Sequence, residues 1–302
     1  MASLTELSAA FPWFFPTVSF LVGACVGSFL NVVIYRLPKG ESIVTPGSHC
    51  GCGQPIKWHD NIPVLSWLTL RGRARCCGRP FSVRYPFVEL LTATLFLICW
   101  MKFTPALAAC GGVLLGCLIA ATFIDLDHMI IPDVFTIGLA VAGVVLSLLV
   151  PALHGFHDDL FIFDSFRGGA AAVQGVLIGS GLVLWIALLA EVVLKKEAMG
   201  FGDVKFVGAI GAFCGWPGAV FAIFWGAIVG TVWFVIALIW QKTTGKPAPV
   251  APPSENAEGE PAPLGFGAHV PFGPMLAIAA ALYFLFFRDP ALRWLADVAI
   301  LL

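Results

Sequence analysis

The residues that could do chemistry are few, and three of them crowd one stretch, ATFIDLDHMIIPD (Ala121 to Asp133). An uncharged run from Phe103 to Ile124 ends there in Asp125, Asp127 and Asp133, with Pro132 breaking the chain. A fourth carboxylate, Asp203, lies in AMGFGDVKFVGA, where Gly200 and Gly202 flank Phe201. Ionisable groups at the edge of a hydrocarbon layer are expensive and mark a functional site by default. Two carboxyls placed close together do not both ionise readily, so they share a proton. One then takes a proton from water while the other polarises a peptide carbonyl, which is aspartic-protease chemistry. The glycines before Asp203 permit unusual backbone and the close approach of another chain, such as an unwound peptide. A second reading treats these aspartates as solvated interfacial caps. Asp133 is placed to cap the span after Pro132, and Asp127, two residues from Asp125, points to another side of a helix. Spacing alone leaves both readings open.

Four of the nine cysteines form the other cluster: Cys50 and Cys52 in SHCGCGQPI, Cys76 and Cys77 in RARCCGRPF. Two pairs about two dozen residues apart, each followed by glycine, point to a structural Cys₄ zinc knuckle. Vicinal cysteines are awkward ligands for one tetrahedral ion. Three arrangements therefore fit: zinc on all four thiols, zinc on three thiols with His49 or His59, or free thiols. A disulfide framework does not suit a reducing compartment. Cys25, Cys99, Cys110, Cys117 and Cys214 lie in apolar runs and read as inert core residues. His154, His157, Asp158 and Asp159 are of metal-ligating types, but the 154–168 stretch is read as an acidic, solvated outer loop.

The elements that must position these groups are membrane spans. Of 302 residues, 59% are hydrophobic and 12% charged, against about 25% charge in soluble domains, and the mean hydropathy is +0.92. Apolar runs predict spans near 14–34, 86–101, 105–124, 134–151, 170–190, 206–217, 219–240 and 270–287. The run Phe206 to Trp240 is too long for one helix, and GWPG (Gly215 to Gly218) is a plausible divider. The fold class is an all-α polytopic membrane protein with about eight transmembrane helices and a small loop domain. Residues 1–35 form the N-terminal region and first span, 36–85 the cytoplasmic loop domain, and 86–240 the core with both aspartate motifs. Residues 241–269 are a Pro-rich, acidic flexible linker, and 270–302 the last span and tail. The N-terminus carries neither the basic region nor the cleavage site of a signal peptide. With the 36–85 loop in the cytoplasm, thirteen of the seventeen Lys and Arg fall on that side, as the positive-inside rule requires. The same assignment brings Asp125 and Asp203 to one face. A net charge of −1 says little beside the scarcity and placement of charge, and no nucleic-acid partner is expected. A transporter using the aspartates as a proton relay is the competing class, but no repeat is evident. A non-enzymatic assembly factor is a third.

Six stretches carry a resemblance: GSFLNVVIYRLP (Gly27 to Pro38), NIPVLSWL (Asn61 to Leu68), RGRARCCGRPFSVRYPFVE (Arg71 to Glu89), FIDLDHMIIPD, GFGDVKFVGAIGAFCGW and VPFGPMLAIAA. In this order they resemble the bacterial type IV prepilin leader peptidase/N-methyltransferase family, of the GxGD intramembrane aspartic-protease type. The resemblance covers about residues 18–287. It implies that Asp125 and Asp203 are the catalytic pair, with Gly200 and Gly202 supporting the motif. The implied substrates are prepilins or type II secretion pseudopilins, whose basic leader is cut at the cytoplasmic face of the inner membrane. Methylation of the new N-terminus with S-adenosylmethionine is implied by resemblance alone, since no nucleotide fingerprint is present. The family's two C-x-x-C pairs correspond to the cysteine loop, but here they read C-x-C and C-C. Arg71, Arg73, Arg75 and Arg79 fit either the positive-inside rule or contact with anionic lipid. Glu89 and Glu191 are read as interfacial residues or tuners of the pair, and Lys205 as a neighbour able to act on a carboxylate. Oligomeric state is not legible.

Overall fold

The computed structural model describes residues 10–157, 160–195, 199–244 and 271–301. Asp158, Asp159 and most of the linker, 245–270, lie outside the described residues. The helices are α1 Phe14–Arg36, α2 Leu65–Thr69, α3 Arg84–Lys102, α4 Pro105–His128, α5 Leu139–Leu149, α6 Phe161–Leu194, α7 Phe201–Thr244, α8 Gly273–Leu282 and α9 Arg288–Leu301. Among the described residues there is no strand, only the isolated bridges His49–Pro55 and Arg73–Pro80. Among the described residues, six helical segments are long and apolar enough to cross a membrane, and Val134–Leu149 is a shorter apolar helix. The expected division of the 206–240 run occurs inside α7, where Gly215 leaves helical geometry at φ 67°, ψ 179° and Pro217 follows. Only glycine enters that region without steric cost. The chain is a multi-pass helical membrane protein.

The chain divides into two compact units, residues 1–120 and 121–302. In the first, α1 packs along α3, tied by the Asn31 amide donating to Tyr85 O at 3.1 Å and the Ser19 hydroxyl to Phe96 O at 3.0 Å. The loop between them is fastened by side chains rather than by a core. Arg36, at the end of α1, donates to Ser42 O, Pro46 O and Gly47 O at 2.8–3.3 Å. Arg75 forks onto Asp60 at 2.8–3.1 Å, and that ion pair holds Asp60 below the usual carboxylate range.

In the second unit α7 packs against α5, α6 and α8. Gly175 of α6 and Gly211 of α7 meet backbone to backbone, each leaving no room for a Cβ on the other. Such close approach is how helices gain contact in lipid, where apolar burial gives no driving force. Helix α6 starts earlier than the apolar run implied. The residues from Phe161 onward, read as outer loop, are its first turns, and Asp164 is buried there. Phe161, Ile162, Phe163 and Phe166 stay exposed on that turn and supply the apolar surface that a hydrocarbon environment accepts. At the other end of α5, His154 is buried, with Nε2 2.9 Å from the Ser147 hydroxyl.

Candidate active site and thiol cluster

Helix α4 ends because Met129 turns into the left-handed region, φ 53°, its N–H bonding Asp125 O at 2.9 Å. Three residues separate the end of the helix at His128 from Pro132, and Asp125 sits in its last turn. Asp125 is 5% exposed, whereas Asp127 is exposed, as expected for residues on different sides of a helix. The Asp125 Oδ2 accepts the Gly273 backbone N–H at 3.0 Å. Gly273 is the first residue of α8, so the carboxylate faces unpaired amides and the positive end of a helix dipole. Asp203 occupies the first turn of α7, its N–H bonded to Gly200 O at 3.0 Å. Its half-buried carboxylate accepts from the Gly200 backbone and lies within electrostatic reach of Asp125.

Ile131 links the two sides. A Cβ added at Gly202 would meet Ile131 Cβ at 3.8 Å, and one added at Gly273 would meet Ile131 Cδ1 at 3.0 Å. Thus the structure brings Gly202, the neighbour of Asp203, and Gly273, the partner of Asp125, against one isoleucine. Gly200 and Gly202 are not in the left-handed region, and a Cβ at either finds no contact shorter than 3.7 Å. The crowded glycine is Gly273, which sequence reasoning did not single out. A Cβ there would lie 2.6 Å from the Asp125 carboxylate. Its only local signal is the Gly-Pro pair opening a helix.

Asp133 precedes the helical segment as expected, but its side chain caps no backbone group. It takes the Lys205 ammonium and the Thr136 hydroxyl instead, and Lys205 holds it below the usual carboxylate range. Lys205 is therefore engaged with Asp133. Glu89 is buried rather than interfacial, accepting the Val64 N–H at 2.7 Å. Glu191 is exposed near the end of α6.

The four loop thiols converge. The Cys50 and Cys77 sulfurs are 3.6 Å apart, those of Cys52 and Cys76 3.4 Å, and all four lie within 4.8 Å of one another. Two turns deliver them, each containing a glycine at positive φ, Gly53 and Gly78. A tetrahedral zinc with bonds of about 2.3 Å needs sulfurs roughly 3.8 Å apart, so the donor set fits such an ion. The shortest approaches run across the two turns, Cys50 to Cys77 and Cys52 to Cys76, and adjacent Cys76 and Cys77 both reach the cluster. His49 and His59 are engaged elsewhere, with Gly47 O and beside Asp60. The first thiol is lowered to about 7, chiefly by the Cys52 backbone, while Cys76 is raised to about 12 by its thiol neighbours.

The described residues thus form a helical membrane scaffold with a buried carboxylate at helix ends and a cluster of four thiols in a loop. The chain matches the family descriptions "Bacterial Peptidase A24 N-terminal domain" over residues 21–103 and "Type IV leader peptidase family" over 112–235. It is 38% identical to the prepilin leader peptidase/N-methyltransferase of Myxococcus xanthus, over 85% of this chain and 72% of the relative. Identity to the enzyme of the same name from Aeromonas salmonicida is 34%, over 97% and 98% of the two chains. With the Klebsiella pneumoniae enzyme it is 37%, over 72% and 92%. No solved structure matches the chain. The chain belongs to the prepilin leader peptidase/N-methyltransferase family and is an enzyme.

Proposed function

We propose that this protein is an aspartic endopeptidase of the bacterial inner membrane that removes the basic leader of prepilins or pseudopilins at the cytoplasmic face. It then methylates the new N-terminus with S-adenosylmethionine. The observation that carries the peptidase reading is the buried Asp125 carboxylate, fixed by the Gly273 N–H and within electrostatic reach of Asp203. In mechanism the pair holds one proton between two carboxyls. The ionised member takes a proton from water as it attacks the scissile carbonyl, and the protonated member donates to the carbonyl oxygen. Collapse of the tetrahedral intermediate returns a proton to the leaving amine. The thiol cluster would hold a structural zinc: four protein ligands leave no open position for chemistry. Domain roles follow the same scheme, with residues 36–85 serving the methyl transfer and the aspartate motifs the cleavage.

Purified protein incubated with a prepilin, with and without S-adenosylmethionine, tests both halves by mass spectrometry. Loss of the leader in both samples and a mass gain of one methyl group only with the donor are expected. An uncut substrate would overturn the peptidase reading.

A further inference from the structure

Asp203 is the third residue of α7, within the turn whose backbone N–H groups have no partner inside the helix. Helix ends fray, yet this one carries a carboxylate that has to meet Asp125. The turn is tied to the connector 129–133, which continues from the end of α4 that bears Asp125. Ile131 of that connector lies against Gly202, 3.8 Å from where a Cβ would stand. Two residues on, Asp133 pairs with the Lys205 ammonium, and the Thr136 hydroxyl bonds the same carboxylate oxygen at 3.3 Å. Lys205 Nζ also lies 5.7 Å from the centre of the Phe201 ring, so its side chain folds back over the first turn of α7. An apolar contact lets the helix end slide along Ile131, whereas an ion pair fixes a point on it.

As a prop for the fold the pair is weak. The Lys205 side chain is 26% exposed and that of Asp133 64%, and pairs so open to solvent contribute little to folding. Its place in the chain gives it another use. Lys205 follows Asp203 by two residues, and Asp133 belongs to the segment that starts at the Asp125 turn. We propose that the Asp133–Lys205 pair sets the position of the Asp203 carboxylate relative to Asp125, an inference that rests on the peptidase reading. Both are positioning residues: Asp133 holds the ammonium, Lys205 holds the first turn of α7, and that turn carries Asp203.

Cleavage of a synthetic leader peptide in detergent is measured for wild type, Asp133→Asn, Lys205→Met, the two together, and Lys205→Arg. Each neutral single variant is expected to lose roughly ten- to a hundredfold in kcat with KM little changed, since a displacement near 1 Å at a reacting group has that cost. The double variant should be no slower than the slower single one, because each change removes the same pair. Lys205→Arg keeps the charge and should stay within about threefold of wild type. Unfolding midpoints should remain within about 2 °C of wild type. Wild-type kcat in either neutral variant, a double variant slowed by the product of the single losses, or Lys205→Arg as slow as Lys205→Met would overturn the pair's role. So would a loss confined to Lys205→Met, which would make its charge act on the catalytic carboxylates directly. Losses that track a midpoint lowered by more than about 5 °C would reduce the pair to a structural tie and overturn it as well. Absence of cleavage by the wild type would overturn the peptidase reading instead.

Discussion

Replacing Gly273 by alanine is the sharpest perturbation of the aspartate site, because it adds one methyl group and removes nothing. The new Cβ would sit 2.6 Å from Asp125 Oδ2 and 3.0 Å from Ile131 Cδ1, where ordinary contact begins near 3.4 Å. The carboxylate must retreat by roughly 0.8 Å, which stretches the Gly273 N–H bond from 3.0 Å past any hydrogen-bonding distance. A hydrogen bond to a charged group contributes about 1.5–3 kcal/mol, and a shift near 1 Å at a reacting group costs on the order of a hundredfold in rate. Leader cleavage by Gly273→Ala is therefore expected to fall ten- to a hundredfold in kcat/KM, measured on a synthetic leader peptide in detergent. Methyl transfer to a pre-cleaved peptide should continue, which separates a local effect from unfolding. Wild-type cleavage by this variant would refute the placement of Asp125 against α8.

Other expected outcomes test separate parts of the structure. Gly215→Ala should destabilise the protein by about 1–3 kcal/mol, since φ 67°, ψ 179° is a backbone region essentially reserved to glycine and the added Cβ meets nothing closer than 3.4 Å; thermal unfolding reads it. Burial, with Arg288 nearby, lowers His154 from 6.5 to about 4. The native state then binds fewer protons than the unfolded state between these values. The stabilisation is complete above about 6.5 and is lost as pH falls toward 4, on the order of 3 kcal/mol in all. The unfolding midpoint of wild type should drop by several degrees between pH 7.5 and 4.5, and His154→Gln should flatten that dependence. Metal analysis after exhaustive dialysis should find about one zinc per chain, and Cys77→Ser or Cys52→Ser should lose most of it. Equal metal in wild type and both variants would sink the zinc assignment.

Much of the scaffold was legible because charge in an uncharged run is anomalous and apolar length is set by the bilayer. Asp125 and Asp203 stand out on that ground, and the GWPG break is visible because proline and glycine interrupt helices whatever surrounds them. Gly273 was not legible: its need for hydrogen arises from a carboxylate 148 residues away in sequence. The Asp133–Lys205 pair, 72 residues apart, was hidden for the same reason, and local rules assigned Asp133 to a cap it does not make. The convergence of the four thiols was only half legible, because cysteine spacing shows two pairs but not that two separate turns bring them within 4.8 Å of one another. The early start of α6 escaped a hydropathy reading since Asp164 and Arg167 interrupt the apolar run, while backbone hydrogen bonding continues through them.

The most direct measurement is cleavage of a prepilin by Asp125→Asn and Asp203→Asn, each reconstituted in lipid and checked for folding by thermal unfolding. The account predicts that either substitution alone abolishes removal of the leader, and that the double variant is no worse than either single one. Near-normal turnover by a folded single variant would contradict it.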